Sequence, residues 1–127
     1  MLNIYHLDLT PRTELSAEMA AVLSKAGQRR RFAEGSWVQQ RGDDGDGFWL
    51  IESGKIAMCR HGAEGEQTIF AVRGSGDLFG ELAYFARTQR QVDAIARADS
   101  TLVWLDNRTI RDLLAREPAL ATSLLAS

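Results

Sequence analysis

Ten of the chain's eleven glycines lie between positions 31 and 105, and neither of its two prolines does. Glycine lets the backbone enter turns that a Cβ would obstruct, so this distribution punctuates the chain at short intervals. The residues between the glycines are rich in β-formers, over 36–40, 47–52, 55–60, 66–72, 92–98 and 101–106. Short strands with a turn every ten residues or so predict an antiparallel barrel or jelly roll. Ser53-Gly54 reads as a two-residue hairpin turn, and the polar run His61 to Gly65 as a longer one.

Both flanks carry helical periodicity. Leu15, Met19, Val22, Leu23 and Ala26 recur at helical spacing over 11–26, with Thr13 and Ser16 available as N-caps and Gly27 as a stop. Asp106 is placed to cap a helix carrying Ile110, Leu113 and Leu114, which should end near Glu117 because the residue before a proline disfavours helix. Pro118 then opens a second helix with an apolar stripe of Leu120, Leu124 and Leu125. One domain over 1–127 is expected: a helical segment over 1–30, a β-barrel over 31–106 and helices over 107–127.

The totals restrict function as well. At 127 residues, 45% apolar and 25% charged, the chain suits one globular domain. No apolar run approaches the ~20 residues needed to span a bilayer, and the N-terminus lacks the layout of a secretory signal. A cytoplasmic protein without membrane contact is expected. Cys59 is the single cysteine and His6 and His61 the only histidines, so no zinc or iron–sulfur ligand set is at hand and no metal is expected.

A net charge of −2 lacks the basic footprint of a nucleic-acid binder, and the run Arg29, Arg30, Arg31 reads as solvated residues at a helix-to-strand junction. Asp43, Asp44 and Asp46 read as a turn, since the other ligands of a calcium loop are missing. Of the aromatics, Phe48, Trp49, Phe70, Phe79 and Trp104 are expected in the core and Trp37 in part outside it. Cys59 has few basic neighbours and should be an inert thiol. No nucleophile–base arrangement is present, so an enzyme is not expected.

The stretch GDLFGELAYFARTQRQVDAIARA over 76–98 carries the chemistry. Gly76 and Gly80 free the backbone to expose successive N–H groups, the makings of an anion-binding nest, and Glu81 stands as a lone carboxylate among apolar residues. FGELAYF should form one short helical turn with its N-terminal amides outward.

With Phe32, Glu34-Gly35, Gly42-Asp43, FWLIESGKIAM and Gly65-Glu66 in order around it, this stretch resembles the cyclic-nucleotide-binding domain of the CRP/FNR transcription regulators. The resemblance covers nearly the whole chain and implies a double-stranded β-helix, or jelly-roll, barrel with a phosphate cassette over 76–90. It assigns Glu81 to a ribose hydroxyl and the amides around Gly80, Leu82 and Ala83 to a cyclic phosphate. It also implies an arginine that grips the phosphate, followed by a small residue or hydroxyl. Counting forward from Glu81 puts the arginine at Arg90; counting back from VDAIARA puts its slot on Val92 and the hydroxyl slot on Asp93.

Two outcomes therefore stay open. Either a bulged loop lets Arg90 reach the ligand, or an acid sits where the phosphate belongs. The second would repel a phosphodiester about 4 Å away by ~1–4 kcal/mol.

The function implied is an effector-sensing regulatory domain taking cyclic AMP or cyclic GMP. Its apolar stripe over 118–127 would pack on the barrel or on a second copy, the latter giving a homodimer, and it would reach DNA only through a C-terminal part this chain lacks. The rival is a standalone module of the same fold that no longer binds nucleotide and acts through protein–protein contacts. A cupin-type enzyme would need a histidine cluster that the sequence does not contain.

Overall fold

The computed structural model describes residues 15–125. His6, Thr13 and the first residues of the expected N-terminal helix lie outside that range. Helix α1, Ala17–Ala26, starts where Ser16 Oγ accepts a 3.1 Å hydrogen bond from the Met19 N–H, and it stops at Gly27. A Cβ on Gly27 would sit 2.4 Å from a Val103 methyl, so this glycine is also required by the close approach of the strand that carries Val103.

Eight strands follow: β1 (Gln28–Phe32), β2 (Trp37–Gln39), β3 (Gly47–Ser53), β4 (Lys55–His61), β5 (Gln67–Gly74), β6 (Leu78–Phe79), β7 (Asp93–Ala96) and β8 (Ser100–Asp106). They form two four-stranded antiparallel sheets, ordered β1-β8-β3-β6 and β2-β7-β4-β5. This is the expected jelly-roll architecture, with two separate sheets in place of one continuously closed barrel. Gly54 turns β3 into β4 at φ +110° and Gly65 turns β4 toward β5 at φ +86°, as the hairpin signals require.

Two strands are additional to the pattern read from sequence. β6 is only two residues long. β1 is the arginine run, whose residues Gln28 to Arg31 are indeed exposed, yet its backbone pairs with β8 along its whole length. The strand has no apolar alternation to announce it because it is an edge strand. Arg29 bonds Glu52 at 2.9 Å, and the Arg30 guanidinium lies 5.8 Å from the Trp49 ring centroid.

Helix α2, Glu81–Ala86, interrupts the strands; α3, Asn107–Arg116, and α4, Pro118–Leu125, follow them. Asp106 caps α3 by accepting from the Thr109 N–H at 2.8 Å, and Glu117 ends it. The apolar residues divide into two clusters. One packs α1, α3 and α4 onto the outer sheet face and joins Leu23, Phe48, Leu105, Ile110, Leu113, Leu120 and Leu124. The other fills the space between the sheets with Trp49, Ile51, Ile56, Met58, Ala71, Phe79, Ala94, Ala96 and Leu102.

Leu120 and Leu124 are therefore buried within this one chain, at 1% and 3% exposure. These two residues of the 118–127 stripe thus pack on the barrel, one of the two covers expected for it. Among the described residues no helix is long and apolar enough to cross a membrane, and no group of three or more His, Cys, Asp or Glu side chains could hold a metal ion. The acidic turn is structural: Asp43 Oδ2 accepts from the Gln40 N–H at 2.8 Å, and Asp44 bridges to Gln89.

Candidate functional site

Gly80 fixes the geometry of the site. It stands between β6 and α2 at φ +84°, a left-handed conformation costly for any residue with a Cβ. An added Cβ would meet Arg90 Nη1 at 2.5 Å. The first backbone bond of α2 runs from the Tyr84 N–H to the Gly80 carbonyl, which leaves the N–H groups of Glu81, Leu82 and Ala83 unused by the helix's own ladder.

Arg90 lies directly beneath. The loop before β3 holds its backbone, the Arg90 N–H donating to Asp43 O and the Gly42 N–H to Arg90 O, each at 2.8 Å. Its side chain is 3% exposed; Nη1 donates to Gly80 O at 2.7 Å and Nη2 to Gly47 O at 2.6 Å. Burial lowers the guanidinium pKa, and the carboxylates of Asp46, Asp43 and Glu81 oppose that shift. Both hydrogen bonds of this buried cation thus go to neutral carbonyls.

A cavity of about 170 Å³ opens here between the two sheets and α2. Gly80, Glu81, Leu82, Ala83, Arg90 and Val92 all line it, so the structure brings together six of the seven residues singled out from sequence. Glu81 is 5% exposed. Arg90, the residue reached by the forward count from Glu81, enters the wall from the segment just before β7.

Asp93 is the seventh, and it is not on this wall. Its Oδ2 pairs with His61 Nδ1 at 2.7 Å and its Oδ1 accepts from the Arg41 N–H at 2.8 Å. Trp37, 47% exposed, stacks on the same imidazole with centroids 4.9 Å apart. The Asp93 carboxylate, which one of the two open outcomes set near a phosphate, is thereby engaged in a β4–β7 hydrogen bond outside the cavity. Cys59 sits behind that pair, fully buried, and desolvation with the nearby Asp93 charge pushes its thiol up to about 11, the inert group expected.

Two buried polar residues of the cavity wall went unrecognised in the sequence. Arg73 of β5 is 2% exposed and lines the wall. Its signal was parity: it lies two residues after the buried Ala71, on the inward side of β5. Gln39 of β2 is 8% exposed, and parity hid it, since Trp37 two residues earlier faces out. Trp37 pairs with Ile95 and Gln39 with the adjacent Ala94, a bulge that turns Gln39 inward.

The buried Arg90 guanidinium, the amides at the start of α2 and the Glu81 carboxylate on apolar walls suit an anion that also offers hydroxyl or N–H donors. A wider, shallower depression of about 870 Å³ lies between Asp44, Tyr84, Arg87, Asn107 and Arg111, and it shares no lining residue with the cavity.

The family model described as a cyclic nucleotide-binding domain matches residues 29–117. The cyclic AMP receptor protein of Thermus thermophilus is 32% identical over 99 residues, covering 78% of this chain and 46% of that protein. A CRP-like cAMP-activated global transcriptional regulator of Mycobacterium tuberculosis is 30% identical over 105 residues, covering 83% of this chain and 47% of its own. Among solved structures, the Thermus thermophilus catabolite activator protein superposes with a TM-score of 0.77 at 30% identity, over 88% of this chain and 53% of that one. The chain spans about half the length of these relatives.

Proposed function

The chain belongs to the cyclic nucleotide-binding domain family, and on that premise we propose that it is an effector-sensing domain whose cavity takes a cyclic purine mononucleotide. The observation that carries the reading is Arg90: a guanidinium 3% exposed on a cavity wall, with both hydrogen bonds going to backbone carbonyls. A cation kept out of water at that cost is matched by an anion entering the cavity. Three of its five N–H donors remain for a phosphate, and the free amides at the start of α2 stand on the same wall.

Glu81 supplies the acceptor for a ribose hydroxyl. At about 170 Å³ the cavity is smaller than the ~300–1,000 Å³ that encloses a whole drug-sized ligand. It holds the phosphate and sugar, with the base toward the mouth. As a regulator the domain works by population shift, the nucleotide favouring the arrangement it binds more tightly. Two of the relatives are by name a cyclic AMP receptor protein and a cAMP-activated transcriptional regulator. Coupling to transcription through a further part of a longer protein is the corresponding role here.

Calorimetric titration with cyclic AMP and cyclic GMP tests this. Micromolar binding is expected for one of them, weakened by about 10- to 100-fold in Arg90→Ala, the range for loss of a charge-assisted hydrogen bond. Glu81→Ala should weaken binding as well. No heat from either nucleotide at millimolar concentration would leave the protein–protein module as the better account.

A further inference from the structure

We infer that Asp93 is a positioning residue for binding of the nucleotide's phosphate: its carboxylate holds the turn after β2, and that turn holds Arg90 in the cavity wall. The inference rests on the nucleotide-binding reading above and adds what keeps the cation of that site in place. Residues 90–92 belong to no helix or strand, so the position of Arg90 depends on individual hydrogen bonds. The two that reach its own peptide groups both come from the turn, the Arg90 N–H donating to Asp43 O and the Gly42 N–H to Arg90 O, each at 2.8 Å.

That turn is a compact unit. The Asp43 N–H donates to Gln40 O at 3.1 Å, Asp43 Oδ2 accepts from the Gln40 N–H at 2.8 Å, and Gly42 takes φ +95° between them. The Arg41 N–H, in the middle of the turn, donates to Asp93 Oδ1 at 2.8 Å, a bond strengthened by the charge of the carboxylate. The second oxygen is fixed as well, since His61 Nδ1 donates to Oδ2 at 2.7 Å and Trp37 stacks on that imidazole. The carboxylate of Asp93 thus orients Arg41, and the next two residues of the turn clasp Arg90. Burial works against the charged Arg90 guanidinium, whose bonds end on the carbonyls of Gly80 and Gly47, so the backbone clasp opposes its escape to water. Gln91 O and Val92 O accept from Arg60 Nε and Gln39 Nε2, each at 3.1 Å, which ties the segment to β4 and β2 without reaching Arg90 itself.

The test asks whether Asp93 acts through Arg90. The tighter-binding of cyclic AMP and cyclic GMP is titrated by calorimetry into wild type, Asp93→Ala, Asp93→Asn, Arg90→Ala, and Asp93→Ala combined with Arg90→Ala. Asp93→Ala should bind about threefold to tenfold more weakly than wild type. Asp93→Asn, whose side-chain oxygen can still accept from the Arg41 N–H, should stay within about twofold of wild type. In the Arg90→Ala background the change Asp93→Ala should cost less than about twofold, because the group it positions is gone.

Equal losses in the two backgrounds, or an Asp93→Asn as weak as Asp93→Ala, overturn the inference and leave the nucleotide reading standing. Absence of binding by the wild type overturns that reading. In that case, or where Arg90→Ala binds too weakly to titrate, solvent exchange of the Arg90 Nε–H in the free protein, followed by NMR, decides whether Asp93 holds Arg90. That exchange should be at least about tenfold faster in Asp93→Ala than in wild type, and equal rates overturn the inference. Should Asp93→Ala not fold, the backbone amides of Arg41, Gly42 and Arg90 in wild type carry the test. One clasp opens as one unit, so their protection factors should agree within about threefold, and unrelated values would count against it.

Discussion

At Gly80 two constraints coincide, a left-handed φ and an arginine packed where a Cβ would go. Gly76 has nearly the same φ, +88°, with nothing within 4 Å of an added Cβ, so the pair separates backbone strain from crowding. Gly76→Ala should cost ~1–2 kcal/mol, the penalty for a left-handed L-residue. Gly80→Ala should cost about 1 kcal/mol or more beyond that, because Arg90 is pinned at both ends of its guanidinium and cannot simply swing aside. Urea unfolding of the two variants reads the difference, and equal midpoints would mean Arg90 yields without cost. Nucleotide affinity should fall only in Gly80→Ala.

The same residues show what a sequence discloses about a site. Glycine and glutamate in GDLFGELAYF were legible because each is an unusual choice for its place, a flexible backbone beside a lone acid. Asp93 was harder to place. Its distance along the chain from Glu81 does not reveal that His61, thirty-two residues earlier, would draw its carboxylate out of the cavity. Gln39 was hidden by a bulge, a feature of strand pairing that leaves no local mark in the three letters Trp-Val-Gln.

Elements with caps or tight turns were the most legible, since their signals are local. Ser16, Gly54, Asp106 and Pro118 each act at the position where their chemistry predicts. The two-residue β6 and the exposed β1 escaped because their pairing is settled by β3 and β8, far along the chain. The cap of α3 also carries a pH signature. Hydrogen bonds from Thr109, through its backbone and side chain, hold the Asp106 carboxyl below its ordinary value. A depressed carboxyl stabilises the fold above its unfolded pKa of ~3.9, and that contribution fades as pH falls through the lower folded value. In Asp106→Asn the side-chain oxygen still accepts while the titration disappears. Its thermal midpoint should fall less steeply than that of wild type between about pH 5 and pH 2, and parallel acid limbs would assign that slope to other carboxyls.

Across the whole molecule the two clusters divide labour. The cavity borders the layer between the sheets, where Met58 and Phe79 belong to both the cavity wall and that inner cluster. α1, α3 and α4 share the outer cluster, in which Leu120 is 1% exposed beside Leu23, Phe48 and Ile110. α2 touches both layers, since Glu81 lines the cavity while Tyr84 and Phe85 pack on Phe48 and the Tyr84 hydroxyl bonds Asn107 of α3 at 2.5 Å. Leu78 of β6 likewise belongs to the outer cluster and to the cavity wall, so stability and ligand affinity should respond separately only where an outer-layer residue, such as Leu120, lines no part of the cavity. Leu120→Ala removes a buried side chain and should destabilise the fold by ~2–5 kcal/mol, read as a lower urea midpoint. The transition should stay single, because the N-terminal helix, the sheet and the C-terminal helices meet in one cluster. Under conditions where the variant remains folded, its nucleotide affinity should stay within about twofold of wild type, since Leu120 lines no part of the cavity. A large loss of affinity in the folded variant would instead place α4 in the path by which the cavity is held open, and the two layers would then have to be treated as one coupled unit.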